Sequence, residues 1–428
     1  MRRFNAKDPA FEADFAAFLD EARGSPAEVD AAVAEIIERV KTEGLRALLD
    51  YSHRFDGVEL DEETIHVTSA EIEAGAAQCT PEVREAIAFA TARIRAYHER
   101  QRPADARFTD EAGVELGWRW TALDAVGIYV PGGRAAYPSS VLMNAVPAAV
   151  AGVGRIAMVT PPGRLEPAVL AAAKEAGISE IWRVGGAQAC AALAYGAGPI
   201  SPVDKIVGPG NAYVTAAKRR LYGVVGIDAL AGPSEIVVVA DGQNDPNWIA
   251  ADLLSQAEHD PDAQSILITD NEVFAGRVEA AMALQLFQLA TRETARASWN
   301  DHGAVVIAGL DRAAALVNQI APEHVELAVA DPEPLAAQIR HAGAIFLGRH
   351  SPEAIGDYVA GSNHVLPTSR AARFSSGLSV FDFLKRTSII GCDAEAFARL
   401  APATVALAEA EGLPAHARSA SIRLNRRG

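Results

Sequence analysis

Over the first hundred residues the apolar positions recur every three or four places. Phe11, Phe15, Phe18 and Leu19 fall on one stripe, and Val29, Val33, Ile36, Ile37 and Val40 fall on another. That spacing predicts amphipathic helices. Ser25-Pro26-Ala27-Glu28 and Thr80-Pro81-Glu82 each place a hydroxyl cap before a proline at the first helical position, so both read as helix starts. Residues 1–105 therefore read as mainly helical. The pattern then changes to short β-branched runs separated by alanine-rich stretches. A first series comprises AVGIYV (125–130), RIAMVT (155–160), EIWRV (180–184), KIVG (205–208) and EIVVVAD (235–241). A second comprises SILITD (265–270), AVVIAG (304–309), VELAVA (325–330) and AIFLG (344–348). Strands alternating with helices predict parallel sheets wrapped by helices. The reading is thus an α/β chain with two such layers, a helical N-terminal segment and a helical tail, with no internal sequence repeat.

Composition narrows the class. With 428 residues, half of them hydrophobic, the chain can bury a large core in two or more domains. A formal net charge of −16 and the lack of any basic block argue against a nucleic-acid or anionic-membrane surface. Cys79, Cys190 and Cys392 are scattered with no CxxC pair, which disfavours a disulfide framework or a thiolate zinc site. The N-terminus has no apolar signal core and no run reaches membrane-span length, so a cytoplasmic setting is expected.

Candidate chemistry lies at the ends of these runs. Tyr129 is followed by Val130-Pro131-Gly132-Gly133, and Gln188 and Asn211 follow Gly185-Gly186 and Gly208-Pro209-Gly210. Parallel sheets bind ligands at such carboxyl ends, so these loops suggest a binding crevice. Gly152-Val153-Gly154 precedes a strand instead of following one, and reads as a helix C-cap and turn. Gln256 and His259, three apart, share a helix face. They read either as an exposed helix end or as an amide and an imidazole ligating a divalent metal, with Asp357 and His416 as distant candidates to complete the set. The adjacent Glu323 and His324 read as a solvated loop or as an acid/base pair. His364 follows a Gly-Ser-Asn turn and is left open, and Cys190 reads as a small core residue.

Taken in order, "GIYVPGGRAAYPSSVLMNAVPA", "RVGGAQACAALAYG", "IVGPGNAYVTAAKR", "AGPSEIVVVAD", "DLLSQAEHDPDAQS", "APEHVELAV", "GDYVAGSNHVLPT" and "EGLPAHARSASIRLN" resemble the histidinol dehydrogenase family over nearly the whole chain. The resemblance implies oxidation of L-histidinol to L-histidine through an aldehyde, with two NAD⁺, one zinc per site and an intertwined homodimer. It implies zinc ligation by Gln256, His259, Asp357 and His416, acid/base roles for Glu323 and His324, and NAD contacts at Tyr129, Gln188 and Asn211. It puts substrate contacts at Ser234, Gln256, His259, His324, Asp357, Glu411 and His416. Its domain plan is an arm (1–20), a zinc and substrate domain of incomplete Rossmann-like type (21–128 and 236–378), a similar NAD domain (129–235) and a tail (379–428) completing the partner's site. A zinc- and NAD-dependent dehydrogenase of another small polar alcohol, a zinc hydrolase or a non-catalytic metal-binding protein are the alternatives. The strand-end loops go unexplained in a hydrolase, and the Glu-His pair stays idle in a mere metal binder.

Overall fold

A computed structural model describes residues 1–21, 27–132 and 137–424. Ser25 and Pro26 of the first helix-start motif lie outside them, as does Gly133 of the Tyr129 turn. The second helix start forms as expected: Thr80 accepts a hydrogen bond from Val83 N (3.4 Å), and Pro81 opens the helix Pro81–Glu99.

The β-branched runs build two parallel sheets. The five-stranded sheet has the order Glu180–Arg183, Arg155–Thr160, Ala125–Tyr129, Lys205–Val207, Gly226–Ile227. The six-stranded sheet has the order Arg2–Asn5, Ala304–Ile307, Gln264–Thr269, Glu235–Ala240, His324–Ala328, Ala344–Leu347. In both, the first strand of the unit sits centrally, the next two extend to one side and the last two to the other. This doubly wound order leaves a crevice where the winding reverses. The sequence shows no repeat, yet the topology is repeated.

Both sheets are covered on both faces, which is why their strands are almost continuously apolar. In Glu235–Ala240, Ile236, Val238 and Ala240 face one core with the helix Pro246–Ala257, while Val237 and Val239 face another with Phe11, Phe15 and Phe18. The five-stranded sheet is sandwiched likewise, with Val126, Ile128 and Met158 on one side and Ala157, Val159 and Ile206 on the other. Cys190 is fully buried on the helix Gly186–Tyr195, and burial pushes its thiol up to about 12, which makes it inert packing. Gly152 caps the helix Pro138–Ala151 in the left-handed conformation (φ 92°), as a C-cap glycine does.

Three expectations need correction. Glu235–Ala240, read with the first series, is the central strand of the second sheet. The N-terminal arm is not helical from its start, because Arg2–Asn5 pairs with Ala304–Ile307 before the helix Phe11–Leu19 begins. The tail is not helical throughout. Leu384–Gly391 forms a three-stranded antiparallel sheet with Glu115–Ala122 and Ala106–Thr109, and only then come the helices Ala394–Ala410 and Pro414–Leu424. These strands are short or half-exposed, so neither charge nor alternation marks them against their surroundings.

Candidate active site

At the second sheet's carboxyl-end crevice Asp241 is tied down, accepting from Arg349 (2.6 and 2.8 Å) and from Ala330 N (3.0 Å). The expected chemical groups gather instead at the amino ends of the same two central strands. Ser234 immediately precedes Glu235–Ala240, Glu323 precedes His324–Ala328, and His324 opens that strand. Gln256 ends the helix Pro246–Ala257, and Asp357 lies on the helix Glu353–Tyr358.

His324 is buried. Its Nδ1 lies 3.1 Å from the main-chain oxygen of Glu235. This contact assigns the proton to Nδ1 and leaves a lone pair on Nε2. Nε2 is buried, has no hydrogen-bond partner among the described residues, and lies 3.9 Å from Asp357 Oδ1. Burial lowers the imidazole to about 4, so it is neutral and able to accept a proton at neutral pH.

Carboxyl groups surround it. Glu323 Oε2 accepts from Glu235 N (3.1 Å) and lies 3.8 Å from His324 Nδ1, with the Ser234 hydroxyl hydrogen-bonded to the same carboxyl. Glu353 Oε1 lies 3.3 Å from His324 Nδ1. Burial, reinforced by neighbouring acids, raises both Glu323 and Glu353 well above the usual carboxylate range. Glu326 and Asp252 form a second tier. Glu326 lies two positions along the strand from His324, and Asp252 lies one helical turn before Gln256, so each shares a face with the group above it. Glu326 and Asp252 hydrogen-bond each other, and Glu326 also accepts from the main-chain nitrogen of Glu353.

Gln256 is fully buried, and its surroundings orient the amide. Its nitrogen lies 3.0 Å from Glu353 Oε1, 3.3 Å from the Glu235 carbonyl and 3.2 Å from His324 Nδ1; with the proton on Nδ1 it donates to the two oxygens, which turns the amide oxygen away from them. His259 is exposed just beyond the helix. His364 Nδ1 lies 3.1 Å from the Asp357 carbonyl. The ligand atoms of His324, Glu353 and Asp357 lie within 4.8 Å of one another. The Gln256 amide, the Asp357 carboxyl and the nearby imidazoles are donor types that suit a borderline-soft divalent cation such as zinc. Glu411 and His416 are exposed on the tail.

The other expected residues lie in the five-stranded sheet, whose winding reverses between Ala125–Tyr129 and Lys205–Val207. Tyr129 is buried at the end of the first, its hydroxyl accepting from Gly186 N (2.9 Å). Gln188 is buried on the helix that Gly186 opens. Asn211 caps the helix Ala212–Leu221, accepting from Tyr213 N and Val214 N (3.1 and 3.2 Å).

The histidinol dehydrogenase family model matches residues 20–424. The chain belongs to the histidinol dehydrogenase family. The histidinol dehydrogenase of Caulobacter vibrioides is 76% identical over 424 residues, 99% of each chain, and that of Rhodospirillum rubrum is 60% identical over 428 residues, again 99% of each. The crystal structure of histidinol dehydrogenase from Elizabethkingia anophelis superposes with a TM-score of 0.94 at 36% identity, covering 99% of this chain and 98% of that one. Membership in the histidinol dehydrogenase family makes the chain an NAD-dependent oxidoreductase acting on a CH–OH group. Sequence reasoning did not single out Glu353, Glu326 or Asp252. Glu326, an acid inside the apolar run VELAVA, was a usable signal, since a carboxyl in a doubly covered strand needs a buried partner.

Proposed function

We propose that the chain oxidises L-histidinol to L-histidine through histidinaldehyde in two successive hydride transfers to NAD⁺, as a cytoplasmic homodimer with one zinc per site. The observation that carries this reading is the unpartnered, buried Nε2 of a neutral His324, set at the amino end of a strand among carboxyl groups. No helix among the described residues is long and apolar enough to cross a membrane.

In this reading Gln256, His259 and Asp357 would hold the zinc together with the partner subunit's His416. A zinc held by them would supply a Lewis acid to anchor and polarise the substrate. His324 Nε2 takes the alcohol proton as hydride leaves the carbon, while Glu235's carbonyl holds the ring through Nδ1. Glu323 takes a proton from the water that attacks the aldehyde. Burial favours the protonated form of this carboxyl, so it acts as a base only once ionised. His324 then serves the second oxidation. Ser234 positions Glu323, and the partner subunit's Glu411 would bind the substrate's charged end. Tyr129, Gln188 and Asn211 contact the cofactor at the five-stranded sheet's winding reversal, the usual dinucleotide position.

The test follows NADH absorbance with L-histidinol and NAD⁺, with and without a chelator. Two NADH per histidinol, abolished by chelation and restored by zinc, is the expected result. Turnover unaffected by complete metal removal would overturn the zinc role, and a single NADH per histidinol would overturn the two-step reading.

A further inference from the structure

Between the two sheets the chain runs from Gly226–Ile227 through residues 228–234 to Ser234, crossing from the cofactor side to the substrate side. One buried ion pair grips its start. Lys218, on the helix that Asn211 caps, pairs with Asp228, and their side chains are only 3% and 5% exposed. Both partners also bind a single residue of the cofactor loop. Lys218 Nζ donates to Gly208 O (2.9 Å), and Gly208 N donates to Asp228 Oδ2 (2.8 Å). Gly208 has φ 109°, and a Cβ there would lie 2.2 Å from Tyr129 O, so the loop passes against the end of the Tyr129 strand where no other residue type fits. The same helix holds the crossover again three residues earlier, where Thr215 Oγ1 donates to Ala231 O (3.1 Å). Farther along, Gly232 N donates to Thr368 Oγ1 (2.6 Å).

We propose that Lys218 and Asp228 are positioning residues for the cofactor: together they fix both main-chain polar groups of Gly208 and so set the Gly208–Asn211 loop against Tyr129, in register with the segment that ends at Ser234. The proposal rests on the reading that Tyr129, Gln188 and Asn211 contact NAD. Among the described residues the polar partners of their side chains are Gly208 and each other, not the proposed zinc ligands or Ser234, so the clamp acts on cofactor binding. A buried ion pair contributes little net stability over a neutral replacement of similar size, and its worth here lies in geometry.

The experiment compares K218M/D228L, which removes both charges and both bonds to Gly208, with K218Q/D228N, which removes the charges but keeps a donor and an acceptor. Removing both charges together avoids a lone buried ion. KM for NAD⁺, KM for histidinol, zinc content and NADH affinity by fluorescence are measured on the full-length protein. The expected result is a rise of about tenfold or more in KM for NAD⁺ in K218M/D228L, the scale of one lost charge-assisted contact. Zinc content and KM for histidinol stay near wild type, and K218Q/D228N recovers most of the loss. Should K218M/D228L fail to fold, K218M/D228N carries the test, since of the two bonds to Gly208 it loses only the donor to Gly208 O and should raise KM for NAD⁺ about threefold. An unchanged KM for NAD⁺, or equal loss for both substrates, would overturn the clamp. Asn211→Ala serves as the control: if it raises KM for NAD⁺ while the clamp variants do not, only the clamp is wrong, and if it too has no effect, the cofactor reading itself fails.

Discussion

His324 shows how one side chain is prepared for its task. The Glu235 carbonyl takes its Nδ1, burial keeps the ring neutral, and Nε2 is left buried without a hydrogen-bond partner among the described residues. Replacing His324 with Asn should lower kcat about 10²–10⁴-fold, the usual worth of a general base, with little change in KM for NAD⁺. A kcat within tenfold of wild type in steady-state assays would mean that Nε2 is not the base. Asp252, one tier below, carries the opposite lesson. Burial raises its carboxyl from 3.8 to about 6. A folded value above the unfolded one stabilises the fold below pH 3.8, and that contribution is lost as pH rises through about 6. Asp252→Asn should therefore match wild type near pH 4 and exceed it by about 1–3 kcal/mol near pH 8 in urea unfolding of the chelated protein. Equal midpoints at both pH values would show that Asp252 is not held protonated by the fold. At this scale the sequence exposed the groups with unusual neighbours, such as Glu323-His324 and Gln256 with His259. It hid Glu353 and Asp252, whose importance comes only from which faces their elements turn inward.

The elements were legible where one physical rule dominated. The buried parallel strands are continuous β-branched runs, and their observed bounds differ from the expected ones by a residue or two, such as Glu180–Arg183 for 180–184 and Gln264–Thr269 for 265–270. Arg2–Asn5 and Leu384–Gly391 were not legible, because both have charged, partly exposed patterns and exist only through a partner far away in sequence. The arm shows what such a partner is worth. Phe15 is fully buried, stacked on Phe11 at 5.4 Å and edge-on to Phe4 at 5.4 Å. Phe15→Ala should cost about 3–5 kcal/mol, the usual range for deleting a core phenylalanine ring. The check is the urea midpoint at fixed protein concentration, with kcat/KM measured well below the transition. A loss under 1 kcal/mol, by the same scale, would mean that the arm packs loosely.

At the scale of the whole molecule, the isolated fold leaves Glu411 and His416 exposed, beside exposed Leu400, Leu407 and Leu413. Two-chain sites would resolve both facts, since the tail would bury its leucines against the other subunit while delivering its polar groups. Mixing inactive His416→Ala and His259→Ala chains by co-refolding should restore about a quarter of wild-type activity, because half the dimers are mixed and each carries one intact site. Verified mixed dimers without activity would place His416 in its own chain's site. The long reach of the six-stranded sheet also bears on synthesis. Glu12, on the phenylalanine-rich arm, meets Arg312, which lies 300 residues later. At about 5–20 residues per second the ribosome needs roughly 15–60 s to supply that partner. The five-stranded sheet lies within residues 125–227 and can close long before then. The arm, made well before its partner, is thus among the last of these segments to find its place, and through that interval its four phenylalanines are offered to chaperones and to neighbouring nascent chains.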